Sequence, residues 1–272
     1  KINSIYQLIL MGEEKYIDLN IFEKLEKIGE GAFGKVFKIK NKTTKKIYAA
    51  KISFKEIIMG NQEETIDIQR EINIMSKIDH PSILKFIGYS AKNFMNHFKP
   101  VIVTEYSKNG SLHNLINQEK RYVSLKRWNY TKKLKCIYGI ACGMSYLHSH
   151  NILHRDLKSL NILMSDKMEP KIADFGFSKI LHKNSESFSF QSTQIIKGTP
   201  NYIAPEVWTE CLYTEFSDVY SFGMIIYEIY TQKVPFEKVS DIEIIQKVKN
   251  GDRPIISVPI PEVYKELIEK CW

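Results

Sequence analysis

One stretch of eight residues, 154–161, constrains this chain more than any other part of it. Its sequence, HRDLKSLN, carries a carboxylate at Asp156, an amine at Lys158 and an amide at Asn161. Apolar residues lead into the stretch and out of it, so we expect a polar loop between two short strands. Such a loop holds its polar groups on a rigid rim, which suits the binding of a hydroxyl and a metal ion beside a phosphate. A charged turn without a chemical role is the alternative at this point.

A glycine-rich stretch, 28–37, reads IGEGAFGKVF and carries glycines at positions 29, 31 and 34. This G-x-G-x-x-G spacing occurs in dinucleotide-binding units, where it opens a helix, and in flaps that join two strands over phosphates. The residues after Gly34 alternate between apolar and polar, which predicts a strand, and a further strand is predicted at 47–52. The context therefore favours a phosphate flap over a dinucleotide-binding unit.

The other hydrophobic patterns predict further helices and a buried strand. Apolar residues at helical spacing predict helices over 63–77 and 128–147. A short apolar run predicts a buried strand at 101–106. The segment 217–230 is apolar nearly all round, which predicts a buried helix, and Ser217 is its predicted N-cap.

The net charge of +8, from 39 basic and 31 acidic residues, permits binding to nucleic acid, to a membrane surface or to an anionic substrate. The lysines are scattered, and no nucleic-acid-binding motif surrounds their short clusters, so we expect no nucleic-acid partner. The four cysteines form no C-x-x-C pair, which is typical of a reducing compartment. The sequence has no apolar run of the roughly eighteen residues that a membrane span needs, so no membrane segment is expected in this chain.

In their order along the chain, the motifs of residues 22–272 resemble those of eukaryotic protein kinases. The stretch 154–161 matches the kinase pattern H-R-D-L-x-x-x-N. Residues 174–176 match D-F-G and lie 18 residues after Asp156, while residues 204–206 match A-P-E. The glycine-rich stretch takes its place in this series as the flap over the phosphates of ATP.

The resemblance implies an α+β fold with two lobes. The first lobe is a small antiparallel β-sheet with one key helix, and the second is larger and mainly helical. The implied organisation is a flank at 1–21 and a kinase domain at 22–272, with the first lobe at about 22–103, a hinge at 104–108 and the second lobe at 109–272.

The resemblance also assigns roles in phosphoryl transfer to residues of the second lobe. Asp156 would orient the acceptor hydroxyl and take its proton, and Lys158 would contact the γ-phosphate. Asn161 and Asp174 would hold Mg²⁺, with Mn²⁺ as the alternative ion. ATP and a divalent metal ion are therefore the implied cofactors.

In the first lobe, Lys51 would place the α- and β-phosphates of ATP and would be fixed by an ion pair with Glu71. Thr104 would control access to a pocket behind the adenine, whose edge would bind to the backbone of Glu105 and Ser107. The residues implied to contact ATP are Ile28, Gly29, Glu30, Gly31, Ala32, Phe33, Gly34, Lys35, Val36, Ala49, Lys51, Thr104, Glu105, Ser107 and Leu163.

In detail the chain is similar to the tyrosine-kinase-like group of Ser/Thr kinases, through residues 156–163 and 198–202. Lys158 together with Thr199 fits the Ser/Thr pattern, so protein substrates with Ser or Thr acceptors are predicted, with dual specificity left open. The implied setting is signal transduction in the cytoplasm, or in the cytoplasmic part of a longer, membrane-anchored protein.

Arg155 lies beside Asp156, and a buried arginine at this place needs an anion. Phosphate on the segment 177–200 would supply it through charge-assisted hydrogen bonds. We therefore expect the unphosphorylated domain to be poorly active and expect an upstream or trans-activating kinase as a partner. The candidate phosphorylation sites are Ser187, Ser189, Ser192 and Thr193.

Two acidic residues raise the question of their partners. Asp218 is expected to be buried at the start of its helix, and the resemblance places its partners in the backbone of 154–161. Kinases of this family continue past the position of Trp272 into a last helix, which supplies an arginine to the glutamate of A-P-E. This chain ends at Trp272, so we expect that helix to be missing and Glu206 to lose its partner, at a cost in stability. Either the chain is a truncated form or another residue serves Glu206.

A pseudokinase, which is a kinase-shaped binding scaffold without catalysis, is the main alternative. Such proteins usually lack a lysine, an aspartate or an asparagine of the catalytic set. This sequence keeps Lys51, Glu71, Asp156, Asn161 and Asp174, so an active enzyme is favoured.

Overall fold

The predicted α+β class is confirmed. The chain divides into two compact units between Ser107 and Lys108. The first unit is built on an antiparallel sheet, and the second is mainly helical. The computed structural model describes residues 15–31, 33–56, 62–121, 128–181 and 196–272, of which 62–67 are described by their backbone only.

A five-stranded antiparallel sheet, in the order β1-β2-β3-β5-β4, forms the first unit. One helix, α1 (Gln62–Lys77), follows β3 in the chain and corresponds to the helix predicted over 63–77. The core of the sheet includes Ile39, Ala50 and Val103, which are fully buried. The strands are β1 (Phe22–Gly31), β2 (Gly34–Asn41), β3 (Ile47–Ser53), β4 (Phe86–Ser90) and β5 (Val101–Glu105).

The segment before β1 packs on the edge of this sheet. The Ile17 N–H donates a hydrogen bond to the carbonyl oxygen of Tyr89 in β4 at 2.8 Å, and Leu19 is buried in the sheet core. Because β4 is an edge strand, this pairing covers backbone groups that would otherwise be open to another chain. The remainder of the predicted flank, residues 1–14, lies outside the described residues.

The second unit contains six helices and two short antiparallel strand pairs within its described part. The strand β6 (Ile152–Leu153) pairs with β9 (Lys179–Ile180), and β7 (Ile162–Met164) pairs with β8 (Pro170–Ile172). The stretch 154–161, called the polar loop below, therefore lies between β6 and β7, as predicted. The helices are α2 (Leu112–Lys120), α3 (Tyr130–Ser149), α4 (Pro205–Glu210), α5 (Glu215–Thr231), α6 (Asp241–Lys249) and α7 (Glu262–Cys271).

The helix α5 is buried along most of its length, as its apolar sequence predicts. The prediction that Ser217 caps this helix was wrong. Thr214 is the N-cap, and Ser217 lies in the first turn, where its hydroxyl oxygen accepts the Thr214 N–H at 3.1 Å. Threonine and serine both suit an N-cap, so the residue types did not distinguish the two positions.

Candidate active site

The glycine-rich stretch of the first unit joins two paired strands. The strand β1 ends at Gly31 and β2 begins at Gly34, and these two glycines are partners in the ladder. A Cβ atom at Gly34 would stand 2.2 Å from the carbonyl oxygen of Ile52 in β3, so a larger residue does not fit there. A strand follows the glycines where a dinucleotide-binding unit requires a helix, which excludes that alternative.

Most of the predicted ATP contacts of the first unit lie on four adjacent strands. Val36 in β2 is the ladder partner of Lys51 in β3, and Ala49 is the partner of Thr104 in β5. Glu105 ends β5. The sheet therefore brings these residues together, although they are far apart in sequence. The other predicted contacts described in this unit are Ile28, Gly29, Glu30, Gly31, Phe33, Gly34, Lys35 and Ser107.

Lys51 and Glu71 form an ion pair between β3 and α1. The Lys51 Nζ donates to Glu71 Oε1 at 2.8 Å, and the two side chains are 22% and 7% exposed. The ammonium group also lies 5.4 Å from the ring centroid of Phe33, which follows β1. A charge-assisted hydrogen bond in this sheltered position fixes where the lysine cation stands.

Two side chains of the second unit, Lys158 and Thr199, form a closed cluster with the carboxylate of Asp156, which is 6% exposed. The Lys158 Nζ lies 2.8 Å from Asp156 Oδ2 and donates to the Thr199 hydroxyl oxygen at 2.7 Å. The Thr199 hydroxyl in turn donates to Asp156 Oδ1 at 2.9 Å. This cluster, called the Asp156 cluster below, joins the polar loop to the segment before α4 and fixes the orientation of the carboxylate.

Asn161 stands beside the same carboxylate. Its Nδ2 donates to the backbone oxygen of Asp156 at 2.8 Å and to Asp156 Oδ2 at 3.0 Å, so the amide oxygen is the atom left for a cation. The Ala173 N–H donates to the carbonyl oxygen of Asn161 at 2.9 Å, which brings Asp174 to the same end of β7 and β8. Amide and carboxylate oxygens are ligands that Mg²⁺ prefers. Asn161 and Asp174 therefore fit the predicted metal ion.

The backbone of the polar loop is held by the carboxylate of Asp218, which is 2% exposed at the start of α5. The N–H groups of His154 and Arg155 donate to its two oxygens, each at 2.9 Å, which confirms the predicted partners. His148 in α3 adds a third contact, with its Nε2 3.0 Å from Asp218 Oδ2. Arg155 has a φ of 67°, a left-handed backbone conformation that is unfavourable for residues other than glycine. The hydrogen bonds to Asp218 support this conformation.

The guanidinium group of Arg155 lies over the ring of Tyr213, with 4.6 Å between Cζ and the ring centroid. The Tyr213 hydroxyl accepts the Lys197 N–H at 2.8 Å and also bonds to the Lys197 carbonyl oxygen. Burial raises the pKa of this phenol, so it remains a donor. Sequence reasoning missed Tyr213, which no motif contains. The predicted phosphorylation sites Ser187, Ser189, Ser192 and Thr193, like the predicted ATP contact Ala32, lie outside the described residues.

Besides Asp218, α5 carries another buried carboxylate, Glu228, which sequence reasoning missed. It is 1% exposed and accepts hydrogen bonds from the hydroxyls of Ser159 at 2.8 Å and Tyr202 at 2.6 Å. Burial, together with the charge of Glu228, raises the pKa of Tyr202 well above its usual value, so its hydroxyl remains protonated. A charged residue inside an otherwise apolar helix needs buried partners, and that signal was available in the sequence.

Glu206 has a hydrogen-bond partner within the described chain. Its Oε1 accepts from the Ser217 hydroxyl at 2.8 Å, and the residue is half-buried. This partner is a neutral hydroxyl group, so it does not replace the charge of an arginine. The loss of the arginine partner and its cost in stability stay predictions.

The described residues contain no disulfide, no metal-binding cluster and no membrane-spanning helix. All four cysteines are free thiols, and burial raises the pKa of Cys136 far above its usual value. The described residues contain no group of three or more His, Cys, Asp or Glu side chains placed to hold a metal ion. None of the helices in this part of the chain combines the length and apolar character needed to cross a membrane.

Comparison with protein families matches residues 22–272 to the protein kinase domain. Three curated proteins illustrate the relatives of this chain. A protein of Acanthamoeba polyphaga mimivirus, named as a serine/threonine-protein kinase/receptor, is 35% identical over 91% of this chain. A Dictyostelium discoideum protein named as a serine/threonine-protein kinase is 33% identical over 90% of it. A dual specificity protein kinase of Dictyostelium discoideum is 35% identical over 92% of it.

These relatives are much longer than the matched region. The alignments cover 14% of the mimivirus protein, 18% of the first Dictyostelium protein and 47% of the second. The chain therefore spans between about one seventh and one half of the length of these relatives.

Proposed function

Because the chain belongs to the protein kinase domain family, we propose that it transfers the γ-phosphate of Mg-ATP to Ser and Thr hydroxyls of protein substrates. The Asp156 cluster carries this proposal. It places a carboxylate, a lysine ammonium and a threonine hydroxyl within 3 Å of one another. The Asn161 amide beside them is suited to a metal ion. The test is transfer of labelled phosphate from Mg-ATP to a generic Ser/Thr protein, with Asp156→Asn as the control.

In this proposal Asp156 orients the acceptor hydroxyl and takes its proton during transfer. Its Oδ1 already accepts a hydrogen bond from Thr199 and its Oδ2 forms an ion pair with Lys158, so the carboxylate is held in one orientation before a substrate binds. Such preorganisation lowers the cost of reaching the reactive geometry. The Lys158 ammonium supplies positive charge to the γ-phosphate.

Asn161 and Asp174 are proposed to hold the magnesium ion. When bound, the ion neutralises charge on the phosphate oxygens. The role of this chain is to present the two oxygen ligands at the ends of β7 and β8. Measuring the activity with each ion decides between Mg²⁺ and Mn²⁺.

Lys51 is proposed to bind the α- and β-phosphates, with Glu71 fixing its position. We expect Glu71→Gln to raise the KM for Mg-ATP by about tenfold, because a hydrogen bond to a charged partner contributes roughly 1.5–3 kcal/mol. Glu26→Gln is the matched control, since Glu26 also pairs with a lysine at 2.9 Å but is exposed. Steady-state kinetics at varied ATP decide the matter. An unchanged KM in Glu71→Gln would contradict the role given to this pair.

Selectivity for Ser and Thr rests on Lys158 and Thr199 together. Their side chains are hydrogen-bonded at 2.7 Å, and both contact Asp156. The names of the relatives include serine/threonine and dual specificity kinases, so tyrosine transfer is a second outcome to assay. Membership of the tyrosine-kinase-like group stays a prediction. No observation favours the pseudokinase alternative.

We also propose that phosphate on the segment 177–200 activates the enzyme, through a partner kinase or a second copy, in a cytoplasmic signalling setting. Arg155, next to Asp156, supports this idea because its guanidinium group can pair with a phosphate. Replacing Ser187, Ser189, Ser192 and Thr193 by alanine is expected to lower activity severalfold and to abolish any lag that autophosphorylation causes. Unchanged activity and an unchanged lag in that variant would rule the proposal out.

A further inference from the structure

His113 in α2 belongs to none of the motifs, yet it contacts the buried carboxylate of Glu228. Its Nδ1 lies 3.0 Å from Glu228 Oε1, and its side chain is 24% exposed. Its other ring nitrogen, Nε2, lies 2.8 Å from the amide nitrogen of Asn117, one turn further along the helix. An amide nitrogen donates, so Nε2 accepts and the ring proton lies on Nδ1, facing Glu228.

Within the described residues, the hydrogen bonds of the Glu228 carboxylate lead to three different parts of the second unit. Its Oε1 accepts from the hydroxyl of Ser159 and from His113, and its Oε2 accepts from Tyr202. The Ser159 hydroxyl also lies 3.5 Å from His113 Nδ1. A carboxylate that is 1% exposed keeps its position only while its oxygens are hydrogen-bonded, so its orientation depends on the donor that His113 supplies.

The two hydroxyls held by Glu228 sit next to the Asp156 cluster in sequence. Ser159 follows Lys158 directly in the polar loop, and Tyr202 ends the short helical turn that follows Thr199. The same turn is linked to α5 by a second bond, from the Ser221 hydroxyl to the Tyr202 carbonyl oxygen at 2.7 Å. A rotation of the Glu228 carboxylate would therefore disturb both segments that meet at Asp156.

We infer that His113 is a positioning residue for phosphate transfer. By donating from Nδ1 to Glu228, it holds Ser159 and Tyr202 in place and thereby sets the positions of Lys158 and Thr199 relative to Asp156. This inference rests on the proposed kinase function. It assigns a role in the reaction to α2, a helix that carries none of the recognised motifs.

The test compares His113→Leu with His113→Asn in the full chain. Leucine and asparagine have nearly the same shape, but only asparagine places an N–H donor where Nδ1 stands. We expect His113→Leu to lower kcat about tenfold, as loss of one hydrogen bond to a buried charge implies, and to raise the KM for the protein acceptor. The KM for Mg-ATP is expected to stay within about twofold, because the affected segments do not include Lys51. His113→Asn is expected to recover most of both losses.

The possible results separate the inference from the function on which it rests. A wild-type chain that transfers no phosphate overturns the proposed function, and this inference with it. If the wild type is active and His113→Leu has the wild-type kcat and KM values, only the inference is overturned. Equal losses in kcat for the leucine and asparagine variants, with both KM values unchanged, would mean a reduced folded fraction and would also overturn it.

A second variant keeps the inference testable if His113→Leu does not fold. Asn117→Leu removes the donor to Nε2, one of the two contacts that orient the His113 ring and favour its proton on Nδ1. It is expected to shift kcat and the acceptor KM in the same direction by a smaller factor. Wild-type values for both parameters in Asn117→Leu would count against the inference.

Discussion

Asp156→Asn is expected to lower kcat for phosphate transfer by about 10²–10⁴, the range that a positioned general base contributes. Asparagine has nearly the shape of aspartate but cannot take the proton of an acceptor hydroxyl. The affinity for Mg-ATP should change much less, because the residues assigned to the phosphates and the metal ion are retained. Steady-state kinetics, combined with binding of a fluorescent nucleotide, separate the two effects.

The structure indicates that this substitution leaves the fold intact. Asp156 Oδ1 accepts from the Thr199 hydroxyl, whereas Oδ2 accepts from the Asn161 amide and forms an ion pair with Lys158. In Asp156→Asn the new amide nitrogen would therefore take the place of Oδ1. There the Thr199 hydroxyl can turn and accept its N–H, whereas the Lys158 ammonium beside Oδ2 has no acceptor. We expect the melting temperature to change little, so that any loss of rate reports on chemistry.

Asp166→Asn is the matched control for this experiment. Asp166 is exposed in the turn between β7 and β8, close in sequence to the polar loop, and it contributes to no site described above. Its substitution should leave kcat within about twofold, as surface changes usually do. If Asp156→Asn retained more than about a tenth of wild-type kcat, Asp156 could not be the general base.

The sequence predicted those parts of the site that depend on local spacing. Asp156, Lys158 and Asn161 lie within six consecutive residues of the polar loop. Their closeness in space therefore follows from their closeness in sequence. The alternation of residues after Gly34 distinguished a strand from a helix and thereby excluded dinucleotide binding. The burial of Asp218 was predicted because this residue lies at the start of an apolar helix. Its partners in the polar loop were predicted from the resemblance to the family.

Contacts between distant residues of unremarkable type could not be predicted in this way. His113 and Glu228 are 115 residues apart, and neither a single histidine on a short helix nor a single glutamate indicates its partner. Tyr213 lies under Arg155 because the segment before α5 folds back on the polar loop, which no local pattern records. The cap of α5 was misplaced for a different reason, because Thr214 and Ser217 are both good caps and the turn geometry decides between them.

Asp218→Leu is expected to lower the free energy of unfolding by about 3–5 kcal/mol, because one buried and two partly buried donors lose their buried acceptor at once. Two of these donors are backbone N–H groups, of His154 and Arg155, which cannot move to another acceptor without moving the polar loop. Arg155 would also lose a bond that supports its left-handed backbone, so the loop is expected to relax and activity to fall with stability. Chemical denaturation and phosphate-transfer assays on the same samples measure both effects.

Two further variants show whether the hydrogen bonds, rather than a change at the start of α5, cause the loss. Asp218→Asn keeps one acceptor oxygen and should lose less stability than Asp218→Leu, because part of the hydrogen bonding survives. Glu215→Leu introduces the same side chain at an exposed position in the first turn of α5 and should cost less than about 1 kcal/mol, mainly through the helix dipole. If Asp218→Leu were as stable as Glu215→Leu, the carboxylate would not be what holds the polar loop. If the three hydrogen bonds to Asp218 cause the loss, stability should fall least in Glu215→Leu, more in Asp218→Asn and most in Asp218→Leu.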